Sequence, residues 1–236
     1  MKRILIVSQY FWPEEFSINN VALELASRGF SVDVLTGLPN YPDGKLFSKF
    51  KKNRENFNKF ENINIYRVPI SLRGNSKFSL FLNYVSFPIS ASLYGIFLLR
   101  KKSYDSIIAV QLSPIFSVIP AIILKKIKKT NLIYWVLDIW PDSLFASGDF
   151  KKGKLVFKIL YMLCGFIYRA ADKILVSSNA FINELQKHDI NRAEFIFFPQ
   201  WVQPFKKLNS ARNLKLETIL KENKEYFNIF FSGNIG

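Results

Sequence analysis

Short runs of aliphatic residues recur along the chain, separated by stretches with helical periodicity. Seven runs have the length and composition of buried strands: Ile4–Val7, Val32–Leu35, Ile63–Val68, Ile107–Val110, Leu132–Leu137, Lys173–Val176 and Glu194–Phe198. The intervening pattern predicts helices over Ile18–Arg28, Ile115–Lys129, Leu155–Ala171 and Asn179–Lys187. Strands that alternate with helices in this way predict an α/β fold, with a parallel sheet and helices on both faces.

In a sheet of this kind, ligands bind beyond the carboxyl ends of the strands. The loops that follow the predicted strands are therefore the places to look for chemistry: Ser8–Ser17, Gly37–Asp43, Gln111–Pro114, Asp138–Ser143 and Ser177–Asn179.

The C-terminal part of the chain has a different pattern. Residues 1–200 carry the strand and helix alternation, whereas residues 201–225 are mostly polar and predict a linker with a short helix over Leu214–Asn223. Phe227–Phe231 then predicts one more strand, followed by a glycine turn. We expect residues 226–236 to be the first strand of a second α/β domain.

The segment Ser79–Leu99 is long, apolar and free of charge, with Lys77 before it and Arg100 after it. Its length is sufficient for a membrane span. Polar and helix-weakening residues within it, among them Asn83 and Pro88, favour two other interpretations. One is an interfacial helix that dips into lipid headgroups, and the other is a helix that covers one face of the sheet.

The composition indicates an anionic partner. Lys and Arg outnumber Asp and Glu by 33 to 18, which gives a formal net charge of +15. The basic residues form clusters beside apolar stretches, a pattern that favours an acidic membrane surface over nucleic acid. Solvated helix ends would explain the same clusters. Because there is one cysteine and no signal peptide pattern, we expect a cytoplasmic protein, peripheral to the inner face of the plasma membrane.

Two predicted loops carry candidate binding residues. The first loop and the start of the helix after it contain Glu14, Glu15, Ser17, Asn19 and Asn20, and a helix amino end there can receive a phosphate or a sugar hydroxyl. Ser17 also suits a plain helix N-cap. The sequence has no dinucleotide fingerprint, no phosphate-binding glycine loop and no metal-binding motif, so we expect neither a cofactor nor a metal. The single histidine, His188, is predicted to lie at the surface.

The second loop is the segment Trp135–Ser143. Asp138 follows a predicted buried strand, where a carboxylate is unfavourable unless it is hydrogen-bonded or used in chemistry. It is suited to orient a sugar hydroxyl or to accept its proton. Helix capping by Asp138 or Asp142 is the alternative. Trp140 is suited either to stacking on a sugar ring or to packing in the core.

Several motifs in this order resemble one enzyme family. They are YFWPEEFS, RGFSVDVLTGLPNYPDG, QLSP, WVLDIWPDS, ADKILVSSNAFINEL, FIFFPQWV and NIFFSGNIG. Together they are similar to the retaining GT-B glycosyltransferases of family 4, most of all those that build bacterial surface polysaccharides, including the L-fucosamine transferases of O-antigen synthesis and the colanic acid enzymes.

The resemblance implies a Rossmann-like N-terminal domain that binds the acceptor, and a C-terminal domain that binds a nucleotide-sugar donor. It implies metal-independent transfer of a deoxyamino sugar to an undecaprenyl-diphosphate-linked acceptor. Asp138 would be the catalytic or acceptor-orienting residue. Trp140, Asp142 and the first loop would contact the acceptor, and Gly233 and Gly236 would begin the donor-side glycine loop.

The sequence departs from the family pattern in two places. The first loop has Glu15-Phe16-Ser17 where the family often has a glycine pair. The family's donor-binding Arg/Lys pair and its paired glutamates would fall after residue 236, so we expect the 236 residues alone to bind the donor poorly. A catalytically inactive, membrane-associated subunit that binds the acceptor is the alternative function.

Overall fold

The computed structural model describes residues 1–74, 76–146, 154–201 and 214–227. The chain divides into two compact units, Met1–Pro199 and Gln200–Gly236. In the second unit the described residues include one helix, α8, over Leu214–Glu222. The predicted strand Phe227–Phe231 lies almost entirely outside the described residues.

In the first unit, the described residues form one sheet of eight strands. The strands are β1 (Arg3–Val7), β2 (Ser31–Thr36), β3 (Lys59–Phe60), β4 (Ile63–Arg67), β5 (Ser106–Gln111), β6 (Asn131–Val136), β7 (Lys173–Val176) and β8 (Glu194–Phe197). Their spatial order is β3-β4-β2-β1-β5-β6-β7-β8. Every pairing is parallel except that of β3 with β4, which is antiparallel.

The helices connect successive strands. They are α1 (Ser17–Ser27), α2 (Ser48–Lys52), α3 (Lys77–Leu98), α4 (Ile119–Lys128), α5 (Asp142–Ala146), α6 (Lys154–Tyr168) and α7 (Asn179–Gln186). Two 3₁₀ turns, Glu55–Phe57 and Ile115–Val118, precede β3 and α4 respectively. Each predicted helix of the first unit therefore exists, although the one predicted over Ile115–Lys129 begins as a 3₁₀ turn.

The strand alternation gives the sheet two apolar faces. In β1, Leu5 and Val7 belong to one buried cluster, and Ile4 and Ile6 belong to the other, because successive side chains point to opposite faces. The first cluster includes buried residues of α3, α4, α6 and α7. The second includes buried residues of α1. The sheet is thus covered by helices on both faces, as predicted.

The uncharged segment forms α3 and packs on the sheet along one stripe. Phe87 and Ala91 belong to the core, and a Cβ at Gly95 would lie 2.9 Å from a methyl carbon of Leu35. Asn83 is buried and donates to the Ser71 carbonyl at 2.7 Å, which explains a polar residue in this helix. By length and composition alone, α3 is long and apolar enough to cross a membrane. Its core contacts show that it covers one face of the sheet.

An ion pair between buried Asp33 and half-buried Lys102 joins β2 to the segment before β5. The side chain of Asp33 is 6% exposed, and its Oδ2 accepts from Lys102 Nζ and from the Tyr104 hydroxyl, each at 2.7 Å. Its Oδ1 accepts from Asn64 Nδ2 at 2.8 Å. The carboxylate is therefore satisfied by three side chains from two neighbouring elements.

We expect Asp33→Ala to lower the free energy of unfolding by about 2–3 kcal/mol, because it leaves partly buried donors without their acceptor. Urea denaturation followed by circular dichroism measures this change. Glu24→Ala is the control, since Glu24 forms an exposed ion pair with Arg28 on α1 and its removal should change stability by less than about 0.5 kcal/mol. Equal losses in the two variants would contradict the structural role of Asp33.

Candidate functional site at the carboxyl edge of the sheet

Four side chains converge just beyond the carboxyl ends of β5 and β6. Asp138 Oδ2 accepts from Ser143 Oγ at 3.0 Å and from Trp140 Nε1 at 3.2 Å. Trp140 Nε1 also lies 3.0 Å from Ser113 Oγ. We call Ser113, Asp138, Trp140 and Ser143 the Asp138 cluster. It joins the loop after β5 to the loop after β6, so two of the predicted loops contribute to it.

Backbone hydrogen bonds to β5 and to α6 hold the loop after β6, which carries Asp138 and Trp140, in place. The backbone N–H of Leu137 donates to the Gln111 carbonyl at 3.1 Å, which extends the pairing of β5 and β6 by one step. The backbone N–H of Trp140 donates to the Tyr168 hydroxyl of α6 at 3.1 Å. Trp140 is 4% exposed and belongs to the core. Its ring therefore packs against apolar neighbours, and its indole N–H is the part that contacts the polar cluster.

The environment of Asp138 suits proton transfer. Burial raises the pKa of the Asp138 carboxyl, while the hydrogen bonds from Ser143 and Trp140 lower it and offset part of that effect. A carboxylate with a raised pKa that is held in one orientation is a suitable acceptor for a hydroxyl proton. The chemical capacity of the cluster is therefore to orient a hydroxyl group and to remove its proton.

A second group of contacts organises the first loop. Glu14 is 2% exposed, and its Oε1 accepts from the backbone N–H groups of Asn40 at 2.8 Å and Tyr41 at 2.7 Å. Its Oε2 lies 3.4 Å from the backbone N of Phe11. The Glu14 carboxylate thus links the loop after β1 to the loop after β2.

Arg67, at the end of β4, completes this link. Its guanidinium donates to the carbonyls of Trp12, Gly37 and Phe57, the last two at 3.0 and 3.3 Å. Burial lowers the pKa of Arg67 to about 10, and the nearby Glu14 raises it. We call Glu14 and Arg67 the loop clamp. It uses a buried carboxyl group and a half-buried guanidinium to satisfy backbone groups of the loops after β1 and β2 and of the 3₁₀ turn before β3.

The other predicted residues of the first loop occupy different positions. Glu15 is exposed, while Asn19 bridges the loop, accepting from the Trp12 N–H at 3.1 Å and donating to the Glu14 carbonyl at 2.7 Å. Asn20 is half-buried on α1. The N-cap position is occupied by Phe16, and Ser17 is the first residue of α1, so the N-cap interpretation of Ser17 is wrong by one residue.

The remaining predicted positions are Asp142, the two glycines and His188. Asp142 is exposed in the first turn of α5, next to the Asp138 cluster in sequence. Gly233 and Gly236 lie outside the described residues.

The prediction that His188 lies at the surface is wrong. Its ring is 2% exposed and stacks on Tyr161 of α6 at a centroid distance of 4.1 Å. The packing of α6 against the segment after α7 buries a residue that the local sequence places in a polar stretch.

The loop clamp and the Asp138 cluster lie at the same edge of the sheet but are separate. β5 lies between β1 and β6, so the ends of β1 and β6 are two strand spacings apart, about 10 Å.

Sequence reasoning missed Arg67 and Ser113. An arginine at the end of a predicted strand is a signal that could have identified Arg67, since a buried guanidinium requires partners.

Comparisons with known proteins identify the fold. No family model and no curated protein match the sequence. The structure of UGT2 from Phytolacca americana with UDP-2fluoro-glucose and pterostilbene aligns with a TM-score of 0.56 and 12% identity, over 87% of this chain and 55% of that chain. A sucrose-phosphate synthase structure from Thermosynechococcus elongatus aligns with a TM-score of 0.50 and 13% identity, over 94% of this chain and 98% of that chain.

The fold is that of a GT-B glycosyltransferase Rossmann-like domain. This chain spans about half the length of the plant enzyme, and the identities are low, so the likeness establishes the fold alone. Within the described ranges, no group of three or more His, Cys, Asp or Glu side chains is arranged to hold a metal ion.

We expect the free energy of unfolding to depend on pH through Glu14. Burial raises its pKa from 4.5 to about 7. The folded chain then binds more protons than the unfolded chain between these pH values, so the free energy of unfolding should fall as the pH rises from 4.5 to about 7. The expected fall is about 3 kcal/mol, at about 1.4 kcal/mol per pKa unit.

Urea denaturation at a series of pH values measures this dependence, with Glu14→Gln as the comparison. Subtracting the curve of Glu14→Gln from that of the wild-type chain isolates the Glu14 contribution, because the amide does not titrate. A difference that stays constant between pH 4.5 and 7 would contradict the raised pKa.

Proposed function

We propose that this chain is the acceptor-binding part of a retaining, metal-independent GT-B glycosyltransferase of family 4. The proposed donor is a nucleotide-activated deoxyamino sugar. The proposed acceptor is an undecaprenyl-diphosphate-linked saccharide of bacterial surface polysaccharide synthesis, such as O-antigen. The observation that carries the proposal is the Asp138 cluster, which holds a partly buried carboxylate at the ligand-binding edge of a fold shared with glycosyltransferases.

Asp138 has a defined part in this reaction. A hydroxyl of the acceptor sugar donates to Asp138 Oδ, and its proton moves to the carboxylate as the acceptor oxygen bonds to the anomeric carbon of the donor. The new bond forms on the face of the sugar from which the phosphate leaves, which retains the configuration of that carbon. The bond from that carbon to the phosphate oxygen breaks, and the nucleoside diphosphate leaves with the electron pair. Ser143 and Trp140 keep the carboxylate in the orientation that this transfer needs.

The same proposal places the protein at the inner face of the plasma membrane. Two helices on one side of the sheet expose large apolar side chains. On α3 they include Phe78, Phe81 and Phe97, and on α6 they include Leu155, Met162 and Phe166. Exposed apolar surface on this scale marks an interaction site. Arg100, Lys101 and Lys158 are exposed on or beside these helices and suit acidic headgroups.

The acceptor role is tested by binding. We expect Asp138→Asn to weaken the binding of an N-acetylhexosaminyl diphosphate lipid by at least about tenfold, because a charge-assisted hydrogen bond to a sugar hydroxyl is lost. Isothermal titration calorimetry measures the dissociation constant. Asp189→Asn is the control, since Asp189 is exposed after α7 and its left-handed backbone conformation accepts asparagine. No acceptor binding by the wild-type chain would contradict the proposal.

The membrane role is tested with vesicles. We expect Phe97→Asp and Met162→Asp to reduce co-sedimentation with vesicles that contain acidic phospholipid, because each places a charge on an exposed apolar face. Phe97 is 70% exposed and Met162 is 63% exposed. Phe197→Asp changes an exposed aromatic residue on β8 and should leave binding unchanged. Equal binding by all four proteins would show that α3 and α6 do not contact lipid.

A further inference from the structure

An apolar groove opens between α3 and the start of α4. It is lined by Val85, Pro88 and Ile89 of α3, by Phe116 of the 3₁₀ turn, and by Ile119 of α4. The cavity has a volume of about 280 Å³. This is close to the lower end for ligand pockets, about 300 Å³, so it has room for a short stretch of a hydrocarbon chain. No lining residue carries a charge or a hydrogen-bonding side chain.

The groove and the Asp138 cluster share a wall. The rings of Phe116 and Trp140 meet edge to face, with centroids 5.9 Å apart and an interplanar angle of 65°. Phe116 lines the groove on one side of this contact, and on the other side Trp140 Nε1 donates to Asp138. One pair of aromatic rings therefore separates the apolar groove from the polar cluster. A ligand with a polar head and an apolar tail can contact the cluster with its head and the groove with its tail.

The groove is also continuous with the exposed apolar face of α3. Ile89 lines the groove and is itself 55% exposed. A hydrocarbon chain that leaves the groove along Ile89 therefore continues over the apolar surface proposed to face the bilayer. This continuity, together with the uncharged lining, favours a hydrocarbon chain as the occupant over a peptide, whose backbone polar groups would be left without partners.

We infer that the groove holds the first isoprene units of the lipid carrier while the acceptor sugar lies at the Asp138 cluster. This inference rests on the proposed function and adds the part of the acceptor that is recognised. The chain end nearest the diphosphate is seated in the protein, and the remainder stays in the membrane. The groove thus selects for a lipid-linked acceptor over a soluble sugar with the same head.

The test compares two soluble probes without vesicles. One is N-acetylglucosaminyl diphosphate carrying a farnesyl chain, used below its aggregation concentration, and the other carries a methyl group instead. Each buried methylene group contributes about fourfold in affinity, so we expect the farnesyl probe to bind at least about tenfold more tightly. Ile89→Glu places a charge at the mouth of the groove and Val85→Phe fills it, and both should remove this advantage.

Ile127→Glu is the matched control, because Ile127 of α4 is 50% exposed and lies outside the groove. It should keep the tenfold preference. Equal affinity for the two probes, with Asp138→Asn weakening both, would overturn the groove and leave the proposed function intact. Binding of the farnesyl probe that Asp138→Asn does not weaken would overturn the shared site. No binding of either probe would overturn both the inference and the proposed function.

Discussion

The parallel pairing of β1, β5 and β6 is the constraint on which the candidate site depends. Because these strands run in one direction, their carboxyl ends meet at one edge and their loops leave the sheet side by side. The core on both faces fixes that register, since a slip of one residue would move the side chains of the slipped strand to opposite faces and break their packing against the helices there. The Asp138 cluster is a consequence of the pairing of β5 with β6, and the loop clamp depends in the same way on the parallel pairing of β1 with β2 and of β2 with β4.

Seven of the eight strands of the sheet, and their succession, were predictable because short continuous aliphatic runs are a local signal. The position of Asp138 at the end of a strand was predictable for a related reason. A carboxylate that directly follows an aliphatic run stands out in the sequence, because it is unfavourable there unless it has hydrogen-bond partners. Segments with no periodicity were not predictable. The stretch that forms α2, the first 3₁₀ turn and β3 is polar and rich in lysine, and its structure depends on contacts with β4.

Residues whose role depends on distant partners were interpreted less well. Glu14 was expected to face the acceptor, and in the structure its carboxylate binds backbone N–H groups of a loop 26 positions away in sequence. His188 is buried by a ring from α6 that the local sequence does not reveal. Segment α3 shows the same limit. Its length fits a membrane span and its polar residues favour an interfacial helix or a helix on the sheet, but only the packing against Leu35 and the core shows that one stripe of it covers the sheet.

The loop clamp has a consequence for selectivity. Glu14 and Arg67 fix the conformations of the loops after β1 and β2 through buried and half-buried hydrogen bonds that form when the chain folds. The conformational entropy of those loops is therefore lost before any ligand arrives, and association does not have to overcome it again. A pre-organised rim of this kind discriminates by shape, since a ligand with a misplaced substituent meets loops that are held in place and do not adapt to it.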